Sequence, residues 1–191
     1  MKRLFDLVCV LISITVFSPL ILAVFIAVKL EDGGPAIFKQ ERIGRGGKPF
    51  MLYKFRSMRI DAEKNGQPQL WAGKEDNRLT KVGKFIREHH LDELPQFWNI
   101  LKGDMSFVGY RPERQYFIDK IMAENPDYVK LYSMRPGVFS EATLYNGYTD
   151  TMDKMLKRLE MDLSYMERQS FWLDITILVK TGLFIILGKK F

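Results

Sequence analysis

Twenty-two residues, Leu7 to Val28, form an almost wholly apolar run near the start of the chain, interrupted midway by Ser18-Pro19. Roughly 20 apolar residues suffice to cross a bilayer, so whatever follows must fold beside a membrane. A proline within a helix removes one backbone hydrogen bond and crowds the preceding turn. In hydrocarbon the freed carbonyl needs another donor, and the Ser18 hydroxyl stands next to it. The pair points to a re-entrant helix-break-helix hairpin that enters and leaves the same leaflet. Flanking charge agrees. Lys2 and Arg3 precede the run, Lys29 ends it, and Lys39 to Arg59 holds seven basic residues against one acidic. Cationic flanks favour the cytoplasmic side, and re-entry satisfies both ends at once. A single spanning helix that tolerates its proline is the other reading of these residues. A cleaved signal peptide is not expected, because the run is too long and no small-x-small site follows it.

The reading divides the chain into a membrane hairpin over residues 1–30 and one membrane-surface domain over residues 31–191, long enough for a core of its own. A net charge of +6 suits anionic headgroups or bound phosphates. Nucleic acid is not expected, since no recognition motif accompanies the basicity. The single cysteine, Cys9, excludes a disulfide within the chain. His89 and His90 are too few for a histidine-based metal site, so any metal would be a hard cation on carboxylates and phosphates.

The expected fold class is α+β and mostly helical. Ala36 to Arg42 and Phe50 to Arg56 read as a β-hairpin turning at Gly44, Gly46 and Gly47. Residues 61–78 read as a polar loop. Val82 to Glu88, Leu94 to Leu101, and Pro112 to about Met122 read as helices, and Met134 to Tyr148 as irregular. Met152 to Gln169 is a charged helix. Phe171 to Leu187 is apolar but carries Asp174 and Lys180, charges that a span penalises by about 2.5–3.5 kcal/mol each. It reads as an interfacial amphipathic helix or as a core helix.

Chemistry concentrates in Leu91-Asp92-Glu93-Leu94-Pro95-Gln96. Adjacent carboxylates before a proline fit a helix's first turn, where Asp can cap and backbone amides can meet a phosphate. A bare cap with a solvated Glu would look the same. Lys54 and Arg56 are spaced to share one strand face and reach a pyrophosphate together, although a basic edge strand has the same pattern. Asp76-Asn77-Arg78-Leu79-Thr80 and Arg87 lead into the carboxylates. Lys102 to Glu113 forms a loop of small residues around Arg111.

In this order the pieces resemble the small monotopic phosphoglycosyl transferases, a bacterial sugar transferase family. The matching residues are Lys2-Arg3-x-x-Asp6, Ser18-Pro19, Gln40-x-Arg42-x-Gly44, Lys54-Phe55-Arg56-Ser57-Met58, the Asp92-Glu93 motif with Asn99, Lys102 to Gly109, Arg111-Pro112, Arg135-Pro136-Gly137 and Asp162. The resemblance implies transfer of a sugar-1-phosphate from a UDP-sugar to undecaprenyl phosphate, with UMP released, as the first membrane step of surface glycan assembly. It places the active site on the cytoplasmic face of the bacterial inner membrane, among membrane lipids. It makes Asp92 the nucleophile of a covalent phosphosugar intermediate and Glu93 the Mg²⁺ ligand. Lys54, Arg87, Arg111 and Asp162 become catalytic companions, and Arg56, Arg78, Arg135, Pro136 and Gly137 substrate-binding. A direct transfer with Asp92 as base, or a non-catalytic scaffold of the same fold, are the alternatives. Two departures fall near the donor pocket: Tyr110 replaces the family's usual proline, and Val138-Phe139-Ser140-Glu141 replaces an Ile-Thr-Gly-type stretch.

Overall fold

The computed structural model describes residues 2–62, 76–147 and 149–187. Most of the expected polar loop, residues 63–75, lies outside them, as do Tyr148 and Gly188-Lys189-Lys190.

The apolar run is a single helix, α1 (Lys2–Asp32), that continues through Pro19. The expected division into two helices is not present, and the local chemistry explains why. Pro19 cannot donate to the carbonyl of Thr15, and the Ser18 hydroxyl donates to it instead at 2.9 Å. The orphaned acceptor is satisfied without interrupting the helix.

Strands β1 (Ile37–Ile43) and β2 (Pro49–Phe55) form the antiparallel hairpin, with Ile37 opposite Phe55 and Ile43 opposite Pro49. The turn between them uses Gly46 and Gly47 at φ of 71° and 69°, a region in which glycine carries no Cβ penalty. Helix α2 (Lys81–Glu88) starts where the Thr80 hydroxyl accepts the Gly83 N–H at 2.9 Å. Asp92 and Glu93 then lie in a 3₁₀ turn, Leu91–Glu93, and not as caps of the next helix. That helix, α3 (Gln96–Lys102), begins after Pro95 without a side-chain cap. Buried Asn99 fastens it to β2, taking the Tyr53 N–H at 3.1 Å and giving its amide to the Met51 carbonyl at 2.7 Å.

Two three-residue strands, β3 (Ser106–Val108) and β4 (Gly137–Phe139), pair in parallel across the core. Gly109 and Gly137 make the crossing possible. A Cβ on Gly137 would lie 2.1 Å from the Gly109 nitrogen, closer than any side chain permits. Helix α4 (Gln115–Glu124) starts three residues after Pro112, later than expected. The stretch read as irregular contains both β4 and α5 (Glu141–Asn146), the latter capped by the Ser140 hydroxyl on the Thr143 N–H at 2.9 Å. Helices α6 (Met152–Arg168) and α7 (Phe171–Ile186) follow the sequence reading closely. The core gathers Ile100, Met105, Tyr110, Ile118, Leu131, Leu159 and Tyr165.

Both ends of α1 are fastened to this one body. At the start, Lys2 pairs with Asp174 of α7. Arg3 donates to the carbonyls of Ile100 and Leu101 at 2.5 and 2.9 Å, and buried Asp6 accepts the Ser106 hydroxyl at 2.9 Å and the Phe107 N–H at 3.2 Å. At the far end, Glu31 accepts the Val82 N–H at 3.0 Å and Asp32 pairs with Arg56. Between the two anchorages Val10, Val24 and Val28 are buried, while Leu11, Ile12, Val16, Leu22 and Phe25 are exposed.

Candidate active site

His90 sits in the left-handed region at φ 55°, a conformation uncommon outside glycine and asparagine. It ends α2 and swings the next turn so that Asp92 and Glu93 face β2 and the Arg111 loop. There Lys54, from β2, reaches the Glu93 Oε1 at 2.7 Å and stands 3.9 Å from the Asp92 Oδ2. Arg111 donates to the same Glu93 Oε1 at 2.7 Å. Two cations from opposite sides thus converge on one carboxylate oxygen, beside a second carboxyl group that is 5% exposed.

Burial and charge separate the two acids. Burial pushes the Asp92 carboxyl up to about 6, against the pull of Lys54, with Glu93 adding repulsion and Arg87 and Arg111 opposing it. Burial alone would raise Glu93 too, but Arg111 and Lys54 together overcome it and hold that carboxylate well below the usual range. Lys54 is itself lowered by burial, against the attraction of Glu93. The result is one permanently anionic carboxylate next to one whose charge changes near the lower edge of the neutral range.

These groups line a cavity of about 260 Å³. Its charged lining includes Lys54, Arg87, Asp92, Glu93, Arg111 and Arg158. Its apolar lining includes Phe17 and Leu20 of α1, Leu91, Leu94, Phe97, Val138, Phe139 and Ile185. His89, His90, Thr143, Gly147 and Thr149 also line it.

The other residues marked by sequence lie elsewhere. Arg56 does not join Lys54 over the cavity: it is buried against Asp32 and gives its Nε to the Pro35 carbonyl at 2.8 Å. Strand β2 ends at Phe55, so the two-residue alternation does not carry on to it. Arg78 pairs with buried Asp76 at 2.5 Å. Arg135 gives its Nε to the Gly103 carbonyl at 2.9 Å, and the Pro136 carbonyl accepts the Ser106 N–H at 2.9 Å. Together with Gly137, these two residues build the β3–β4 crossing behind the cavity. Asp162 lies under the Arg111 backbone. Burial pushes it up to about 7, against Arg158 and the Arg111 N–H, and its Oδ1 has no hydrogen-bond partner among the described residues. Tyr110 points into the core and is fully buried, whereas Val138 and Phe139 of the second departure reach the cavity.

Sequence reading missed Arg158, which lies one helical turn before Asp162 on the same face of α6. It is buried, gives Nη2 to Glu113 at 2.6 Å and Nη1 to Thr149 at 2.7 Å, and Glu113 in turn takes Arg42 at 2.8 Å. Burial opposes ionisation of Glu113, but Arg158 and Arg42 together lower it to about 2.

The model of the bacterial sugar transferase family matches residues 1–188, and the chain belongs to that family. It is 43% identical to UDP-N-acetylgalactosamine-undecaprenyl-phosphate N-acetylgalactosaminephosphotransferase of Aeromonas hydrophila, over 94% of this chain and 42% of that protein. It is 40% identical to UDP-glucose:undecaprenyl-phosphate glucose-1-phosphate transferase of Escherichia coli K12, over 95% of this chain and 39% of that protein. A putative undecaprenyl-phosphate N-acetylgalactosaminyl 1-phosphate transferase of Bacillus subtilis is 51% identical over 68% of this chain and 71% of its own. The chain spans about two fifths of the length of the Aeromonas and Escherichia relatives.

Proposed function

We propose that this chain transfers a sugar-1-phosphate from a UDP-sugar to undecaprenyl phosphate, the reaction class named for its relatives. One observation carries the reading. A single cavity is lined both by a carboxylate pair with Lys54, Arg87 and Arg111 and by two residues of the membrane helix, Phe17 and Leu20. That combination suits a phosphate attached to a long apolar chain on one side and a nucleotide diphosphate on the other.

The chemistry proceeds in two displacements. An Asp92 carboxylate oxygen attacks the β-phosphorus of the donor. A phosphorus–oxygen bond forms, the bond to the UMP oxygen breaks, and UMP leaves with that electron pair. An oxygen of the acceptor phosphate then attacks the same phosphorus and releases the Asp92 carboxylate. With a carboxyl near 6, Asp92 is mostly ionised at neutral pH yet remains more basic than an ordinary aspartate. Lys54, Arg87 and Arg111 offset the charge that gathers on the phosphoryl oxygens. Mg²⁺ suits the donor set: it commonly takes one or two carboxylates and completes its shell with substrate phosphates and water. Glu93 would hold the ion, which when bound neutralises diphosphate charge.

For topology we favour the re-entrant, monotopic arrangement on the cytoplasmic face of the inner membrane. Its support is that Lys2, Arg3 and Asp6 at one end of α1 and Glu31 and Asp32 at the other all bond to the same domain. Anchorage of both ends to one domain is what a helix held to a single face of the bilayer would have.

The test is UMP release from UDP-N-acetylgalactosamine, UDP-glucose and a wider UDP-sugar panel, with and without undecaprenyl phosphate, alongside intact-mass measurement of the protein. A phosphosugar adduct formed without acceptor and discharged by it is the expected result. UMP release that strictly requires acceptor and leaves no adduct would replace the two displacements by one. No UMP from any donor would overturn the assignment.

A further inference from the structure

A second cavity, of about 480 Å³, lies between α1 and α2 and shares two of its walls, Leu20 and Leu91, with the catalytic one. Ala23 and Ala27 form its side on α1, and Val82 and Phe85 its side on α2. Lys81 is the one polar side chain among the described residues that line it. We propose that this groove receives the prenyl chain of the acceptor as the chain leaves the catalytic cavity. The inference rests on the acceptor being a polyprenyl phosphate.

Three features fix that occupant. First, Leu91 directly precedes Asp92 and lines both cavities, so a phosphate seated at Lys54 and Arg111 puts the start of its chain at the groove's mouth. Second, one helix serves both ends of such a ligand: α2 turns Arg87 to the charged cavity and Val82, Phe85 and Ile86 to the groove. Third, small side chains open the path on the membrane helix. Leu20, Ala23, Val24 and Ala27 follow i, i+3, i+4, i+7 spacing along one face, a length of about 10 Å at 1.5 Å per residue. Phe85, on the far wall, is 55% exposed, an apolar surface that a chain would cover.

The test compares dimethylallyl phosphate and undecaprenyl phosphate, which share a head; only the second carries enough chain to fill a groove of about 10 Å. Each is titrated against the full chain in phosphatidylcholine nanodiscs, with binding read by native mass spectrometry and no donor present. The wild type should prefer the long chain by tenfold or more, through the bilayer's concentration of that lipid together with its packing in the groove. Filling the groove with Ala23→Phe and Ala27→Phe together should lower that preference severalfold and leave dimethylallyl phosphate binding within about twofold of the wild type. Partition of the two lipids into the bilayer is common to both proteins and cancels. A wild-type preference retained by the double variant, or no preference in the wild type, overturns the groove. Should the double variant also lose dimethylallyl phosphate, Phe85→Ala decides: at this exposed position a severalfold loss confined to the long chain supports the groove, and an unchanged preference refutes it. If the groove held bilayer acyl chains, the variants would change co-purifying phospholipid while leaving the prenyl preference intact, which also refutes the proposal. Failure of the wild type to bind either prenyl phosphate would instead remove the acceptor reading itself.

Discussion

Asp162→Asn should make the protein more stable at alkaline pH, although the change removes a carboxylate that lies among arginines. The native carboxyl is buried and pushed up to about 7, with burial the main cause and Arg158 opposing it. An unfolded aspartate titrates near 3.9. Between these values the native state holds a proton that the unfolded state has lost, so stability falls as pH rises from about 4 to about 7. One unit is worth about 1.4 kcal/mol. From pH 5 to 7 the Asp162 contribution is therefore about 2 kcal/mol, roughly 4–8 °C of melting temperature for a chain of this size. Asparagine keeps an oxygen for the Arg111 N–H and puts an amide where the acid proton would be. It should behave as the neutral native form at every pH. The assay is thermal unfolding in nanodiscs at pH 5 and pH 8, wild type against variant. The wild type should lose stability across that interval and the variant should lose only the smaller part due to Asp92, whose carboxyl is also raised, to about 6. Equal pH slopes in the two proteins, or a variant less stable at pH 8, would show that Asp162 is an ionised partner of Arg158 and refute the reasoning.

Asp92→Asn should abolish turnover and the phosphosugar adduct while membrane association persists; near wild-type turnover would exclude Asp92 as nucleophile. Glu93→Gln should raise the Mg²⁺ concentration for half-maximal rate by an order of magnitude or more, because a neutral amide is a poorer hard-cation ligand, and an unchanged Mg²⁺ dependence would remove Glu93 from the metal site. Ser18→Ala with Pro19→Ala should restore the regular backbone bond to the Thr15 carbonyl and stiffen α1, whose 22 apolar residues at about 1.5 Å each reach some 33 Å, enough to span. Cysteine labelling of an engineered N-terminal site in a Cys9→Ser background should then change side. Wild-type ends that label from opposite sides would rule out re-entry.

Features with strong local signals were legible in the sequence. The apolar run, the hairpin around its glycines and the two long C-terminal helices each depend on spacing within a few residues. Lys54, Arg87, Asp92-Glu93 and Arg111 come from four segments that the fold brings to one cavity. What escaped depends on distant partners. Strands β3 and β4 are three residues long and about thirty residues apart, so neither has periodicity to reveal it, and with them went the reason for Gly137. Arg56 was placed with Lys54 by strand alternation, but β2 stops one residue earlier and Asp32 captures the guanidinium. Arg158 lies in a stretch that the sequence marks only as a charged helix; its pairing with Glu113, forty-five residues away, goes with its burial. The Pro19 break was anticipated from the missing N–H, and the Ser18 hydrogen bond is what made an interruption unnecessary.

The double fastening of α1 also governs how the molecule comes into being. Val10, Val24 and Val28 belong to the same hydrophobic clusters as the rest of the domain, and without α1 the Ser106 hydroxyl, the Phe107 and Val82 N–H groups and Arg56 would each lose a partner. The helix is therefore a structural member of the fold and not a tether on a separable enzyme. Trimming it should yield a collapsed, poorly ordered chain, not a soluble catalyst. On the proposed topology its exposed middle needs lipid while its ends need the domain, so insertion and folding must finish together. Newly made chains that miss the bilayer have no stable intermediate in which to wait, which makes them early substrates for proteolysis.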